Sequence, residues 1–181
     1  MKAPVLGILY GMSTASLAAQ MGCSLEQARR VEDAILGQFK RLQAWIDESI
    51  RFTRKHGYCT TWFAGKPFHR RLLWEIAGID RSSASSAERA AFNTRMQGTG
   101  AALMLASLNR VVQWIKEDGV PARVVATIHD SMVVEAAEPA VPEVAWRVTH
   151  IMETMDNGDV PLRVGIKQGK TFGNMTSYTV E

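Results

Sequence analysis

Two apolar runs, Arg123–Ile128 and Met132–Ala136, meet at His129-Asp130-Ser131, and this junction offers chemistry of a defined kind. Both runs are short and β-branched, so a tight connection between them makes an antiparallel hairpin. Asp130 then stands at the tip, fixed in space and open to solvent, with the His129 imidazole beside it. Hard cations select rigidly placed oxygen ligands. Aspartate is equally a common turn residue, and His-Asp alone does not separate the two readings. A second constellation is Asn93 and Gln97, four residues apart, which puts two amides on one face of a helix. Arg89 and Arg95 flank them as cations that either reach phosphates or serve as ordinary surface charge. A third is the segment 60–76, where Lys66, His69, Arg70 and Arg71 interleave with Trp62, Phe63 and Phe68. That patch either touches nucleic acid or belongs to the core, the commoner fate of Trp and Phe.

The elements that must position these groups are mostly helices. Ser24 followed by Gln27 reads as a capping box, and apolar residues at Val31, Ile35, Phe39, Leu42, Ile46 and Ile50 continue a helical stripe. The spacing predicts one long amphipathic helix, or two joined near Gly37, stopped by Gly57. The aperiodic stretch 57–88 predicts a hairpin and an exposed serine-rich loop. A second long helix is expected from Ser85 or Ser86 to about Lys116. Gly98 and Gly100 inside it cost roughly 1 kcal/mol each relative to Ala, which suggests a close approach there. Then follow the two strands around His129-Asp130, a helix from Pro142 to Met155, and a last strand from Val160 to Lys167 in one small sheet.

Composition bounds the class of protein. The chain has 181 residues, 46% hydrophobic and 22% charged, an ordinary globular balance able to bury one sizeable core. No run approaches the roughly 18 apolar residues of a membrane helix, and no basic segment with a long apolar stretch follows Met1. A cytoplasmic protein is expected, without membrane partners. Cys23 and Cys59 belong to no metal-spaced cluster and read as reduced structural thiols. The net charge of +3 permits a polyanionic partner without demanding one.

Three segments in order resemble the family A DNA polymerases of the bacterial DNA polymerase I type. "KAPVLGILYGMS" is similar to the end of that family's fingers helix, with Lys2, Gly7, Tyr10 and Gly11 on the pattern and Leu6 where the family commonly has Phe or Tyr. "ERAAFNTRMQGTGAALM" resembles its duplex-facing helix, with Asn93 and Gln97 at the matching positions. "IHDSMVVEA" resembles its metal-binding palm motif, and "VPLRVGIKQGKTFGNM" its closing strand and turn, so the resemblance covers essentially the whole chain.

The resemblance implies an α+β fold, mostly helical, with a small antiparallel palm sheet built around a β-hairpin. It implies a fingers portion at 1–84 and a palm portion at 85–181 of a right-hand polymerase. It implies nucleotidyl transfer from deoxynucleoside triphosphates to a primer 3′ end on primer-template DNA, through a two-metal magnesium site. Asp130 would be a metal ligand, His129 a neighbour of the primer terminus, Lys2 a triphosphate contact, Leu6 a determinant of sugar choice and Tyr10 a wall of the nucleotide site. Asn93, Gln97, Arg89 and His129 would contact DNA; amides suit minor-groove acceptors present on every base pair. Ser131 stands where the family often has Glu, and Glu135 reads by alternation as salt-bridged or solvated. The family's other metal-binding Asp precedes the fingers helix. It is expected on a second polypeptide that also carries the thumb and first palm strands, as in a split viral enzyme working in its host's cytoplasm and inactive as the isolated chain. Pro4, well tolerated in a first helical turn, agrees with a helix that begins here. The competing expectation, from Ser131 and the missing Asp, is a non-catalytic nucleic-acid-binding or assembly subunit derived from a polymerase. Retention of Lys2, Tyr10, His129 and Asp130 together argues against it.

Overall fold

Local signals set most helix ends. The computed structural model describes residues 2–78, 80–156 and 158–179, with Lys2, Ala3 and Arg81 described in backbone only. The chain divides into two compact units, Met1–Thr60 with His69–Met96 and Thr61–Phe68 with Gln97–Glu181.

In the first unit, helix α1 spans Lys2–Leu9 and carries Pro4 in its first turn, where no intrahelical donor is needed. Helix α2, Thr14–Met21, is capped by Ser13, whose side chain accepts from the Ser16 amide, and it ends at left-handed Gly22. Helix α3, Leu25–Gln38, opens on the expected Ser24–Gln27 capping box. Helix α4, Lys40–His56, ends at Gly57 with φ 74°. The stripe from Val31 to Ile50 is therefore two helices, broken at Phe39 (φ −115°, ψ 55°) just beyond Gly37. Ile8, Leu17, Ala18 and Ala28 form one core, with Val31, Ile35 and Leu36 packed on it. Cys59, Leu73, Ile76, Ala87 and Ala91 form another.

Strands β1, Tyr58–Phe63, and β2, Lys66–Leu72, pair as the expected hairpin. Its turn is Ala64-Gly65, both with positive φ, the backbone that matches strand twist in a two-residue loop. Helix α5, Arg81–Glu117, is 37 residues long and starts earlier than Ser85. Asp80 is the reason: its carboxylate accepts from the amides of Ser82 and Ser83, giving orphan first-turn donors a partner. The serine cluster is thus helix rather than exposed loop. The close approach suspected inside α5 is absent at Gly100, where an added Cβ would meet nothing within 4 Å.

In the second unit, β3, Ala122–Ile128, pairs antiparallel with β4, Ser131–Ala136, the register slipping between Val124 and Ala126. Helix α6 spans Val141–Glu153. Trp114, Ala140 and Val144 are the buried centre, with Val120, Ala122, Val134, Ala136, Val148 and Ile151 against them. The expected last strand shrinks to β5, Ile166–Gln168, which pairs antiparallel with an unforeseen β6, Thr176–Tyr178. Among the described residues the single expected sheet is instead three two-stranded ribbons, each strand finding only its neighbour in sequence. The class stands as read: mostly helical α+β with small antiparallel sheets.

Candidate functional site

The hairpin of the second unit delivers His129-Asp130 as a two-residue turn closed by the Ile128–Ser131 pair. His129 takes φ 54°, a left-handed conformation in which His is enriched among non-glycine residues, at a cost of about 1 to 3 kcal/mol. Ser131 Oγ donates to the Ile128 carbonyl at 2.8 Å and laces the turn from its far side. The base of the hairpin is seated on the Trp114–Val144 core through Ala122, Val134 and Ala136, while both tip residues are exposed. A carboxylate on a turn anchored at its base is held in place and open to a ligand. Glu135 is instead paired across the two strands, Arg123 Nε donating to it at 2.9 Å. Among the described residues no three His, Cys, Asp or Glu side chains gather as a metal site. Magnesium takes six oxygens, several of them water, and usually more than one anionic group. The described donors of this chain do not make such a site by themselves; Asp130 is an exposed carboxylate that offers one oxygen ligand.

In the first unit, α1 ends in a tight reversal. The Gly11 amide donates to the Ile8 carbonyl at 2.9 Å and the Met12 amide to Gly7 at 2.8 Å, a Schellman pattern that requires left-handed backbone at Gly11, here φ 78°. An added Cβ on Gly11 would lie 2.8 Å from Phe92 Cζ and 3.1 Å from Arg89 Cγ, so the reversal also sits hard against α5. The Tyr10 carbonyl, orphaned by the helix end, accepts from Asn93 Nδ2 at 3.0 Å. Asn93 Oδ1 is buried without a partner. Arg89 donates from its two terminal nitrogens to Ser85 Oγ at 2.8 Å and Ser86 Oγ at 3.0 Å, which holds its cation in one orientation. Together Tyr10, Gly11, Ser13, Ser85, Arg89 and Asn93 line much of an open cleft of about 600 Å³.

Tyr10, Arg89 and Asn93 are therefore brought together at one cleft. Leu6 is on α1 and exposed, and Gln97 is exposed on α5. Lys2 opens α1, and its side chain lies outside the described residues. Arg95 turns inward: its guanidinium lies 5.0 Å from the Trp45 ring centre and donates to buried Ser49 at 2.6 Å. Arg70 covers the Tyr58 ring at 4.9 Å, and Arg71 donates to Thr94 at 3.0 Å. Trp62 and Phe68 are exposed, not core. Sequence reasoning missed Ser13, Ser16, Ser82 and Ser85 on the cleft wall. No local pattern marks them, since only packing brings the end of α1 to the start of α5.

The family model described as DNA polymerase family A matches residues 1–174. DNA polymerase I of Chloroflexus aurantiacus is 31% identical over 176 residues, which is 97% of this chain and 18% of that protein. A DNA polymerase of Bacillus phage SP01 is 34% identical over 186 residues, 97% of this chain and 20% of the phage protein. Among solved structures, the POL domain of Pol1 from M. smegmatis in complex with DNA primer-template and dNTP matches with a TM-score of 0.82 at 31% identity, over 90% of this chain and 28% of that one. The chain belongs to the family A DNA polymerases. It spans 18% and 20% of the length of the first two of these relatives. Among the described residues no helix is long and apolar enough to cross a membrane.

Proposed function

We propose that this chain is the C-terminal part of a template-directed DNA polymerase that adds deoxynucleotides to a primer 3′ end. Residues 1–84 form the fingers portion and 85–181 the palm portion. The observation that carries the reading is the exposed Asp130 carboxylate on a turn whose base is anchored in the core. Asp130 contributes one oxygen ligand to magnesium, and the remaining ligands come from a polypeptide that also carries the thumb, the first palm strands and a second Asp. At such a site, magnesium held in part by Asp130 would supply charge stabilisation for the primer hydroxyl and the leaving pyrophosphate. The chain's own residues position and neutralise. His129 stands beside the primer terminus as a phosphate donor, and Lys2 offers a compact ammonium to the triphosphate. Tyr10 walls the base-pair position, Leu6 bears on the sugar, and Arg89 and Gln97 face the duplex. The relative from M. smegmatis, solved with primer-template DNA and dNTP, supports these partners. The match to a phage polymerase supports a viral setting.

Primer extension by this chain, with and without the complementing polypeptide, tests the assignment. Extension is expected only in the complex. Asp130→Asn should abolish it there while leaving primer-template affinity within about twofold, because duplex binding rests on phosphate and groove contacts. Near-normal turnover by the Asn variant would remove Asp130 from the metal site. Duplex binding by a complex that never extends would instead favour a non-catalytic binding subunit, the reading that Ser131 beside Asp130 keeps open.

A further inference from the structure

The amide of Asn93 is already committed within the first unit, and this commitment assigns it work apart from duplex contact. Its donor satisfies the Tyr10 carbonyl across 83 residues of sequence, at the residue just past α1 that walls the cleft with an exposed ring. The same reversal is fixed by two further observations. Gly11 fits against Phe92 and Arg89 with no room for a Cβ, and the Schellman bonds leave the Tyr10 carbonyl pointing outward from α1. An orphan carbonyl at a helix end takes water if no side chain reaches it, so the bond from Asn93 selects one position of Tyr10 over a solvated, mobile one.

We propose that Asn93 is a positioning residue for Tyr10: it latches the end of α1 to α5 and thereby sets the geometry of the nucleotide site. The proposal rests on the polymerase reading. The Asn93 carboxamide oxygen, buried and unpartnered, takes no part in the latch. Only the donor matters, and an isosteric group lacking it should fail as completely as truncation.

The test has two arms. In the full chain, Asn93→Ala and Asn93→Asp should each speed hydrogen exchange at the Tyr10, Gly11 and Met12 amides by about tenfold, the weight of one hydrogen bond, with exchange along α3 and α4 unchanged. In the complemented polymerase both variants should raise KM for the incoming nucleotide by about tenfold, with kcat and primer-template Kd within about twofold of wild type. Asn93→Ser, which keeps a donor on a shorter side chain, should recover part of both effects. Unchanged exchange at residues 10–12 overturns the latch. Faster exchange with unchanged nucleotide KM, or a loss confined to primer-template Kd, overturns its role in positioning. A wild-type complex that does not extend primers sinks the polymerase reading, and the exchange arm alone then decides the latch.

Discussion

Asn93 and Gln97 share a spacing and a side-chain type, yet the fold uses them differently. Asn93 donates to a backbone carbonyl, whereas Gln97 is exposed on α5 with its amide available to a ligand. A minor-groove acceptor is present on every base pair, so Gln97→Ala should slow extension by about tenfold on all templates without creating a preference. A loss confined to one template base in single-nucleotide incorporation assays would instead indicate direct readout. Residue type was legible from sequence here; direction was not. Arg95 makes the same point, since a cation that could have met phosphate lies over Trp45 and bonds buried Ser49. Its destination depends on α4 and α5 being side by side, which no window around residue 95 contains. By contrast Glu135 was readable, because strand alternation and a cross-strand Arg are both local properties of a hairpin.

At the scale of elements, the start of α5 shows how one cap redirects a segment. A serine run has weak helix propensity and reads as loop, but Asp80 supplies acceptors to the amides of Ser82 and Ser83 and extends the helix through it. The Ser83 hydroxyl and its amide, followed by the Ser82 amide, hold the Asp80 carboxyl below the usual aspartate range. A folded-state pKa that is depressed means stability present above the ordinary aspartate pKa and lost as pH falls through the lower, folded value. The first turn of α5 should therefore fray selectively in acid. Exchange at the Ser82 and Ser83 amides, corrected for the intrinsic rate, is expected to rise as pH drops through that range, and Asp80→Asn should flatten the dependence. A first turn equally protected on both sides of the aspartate range would show that the cap does not hold it. Because Asp80 is fully exposed, high salt should weaken the effect.

For the whole molecule, the hairpin that carries Asp130 sets the behaviour in solution. Its base is buried on α5 and α6 side chains, but Val125 and Ile128 near the tip are 50% and 41% exposed, and β3–β4 is a ribbon of two strands with no further neighbour among the described residues. Open edges with apolar residues favour association. Light scattering on the isolated chain should show self-association. An isolated chain that stays monomeric at high concentration would contradict that expectation. By itself the sequence determined what short-range chemistry controls: the capping box at Ser24, the stop at Gly57, the two-residue turn at His129-Asp130 and the helical class. These depend on backbone donors, acceptors and dihedral preferences within a few residues. The tertiary structure alone decided that the Tyr10 carbonyl meets Asn93 and that Gly11 must lack a side chain against Phe92. Those outcomes join residues far apart in the chain, and their energies exist only after packing has brought the partners within contact distance.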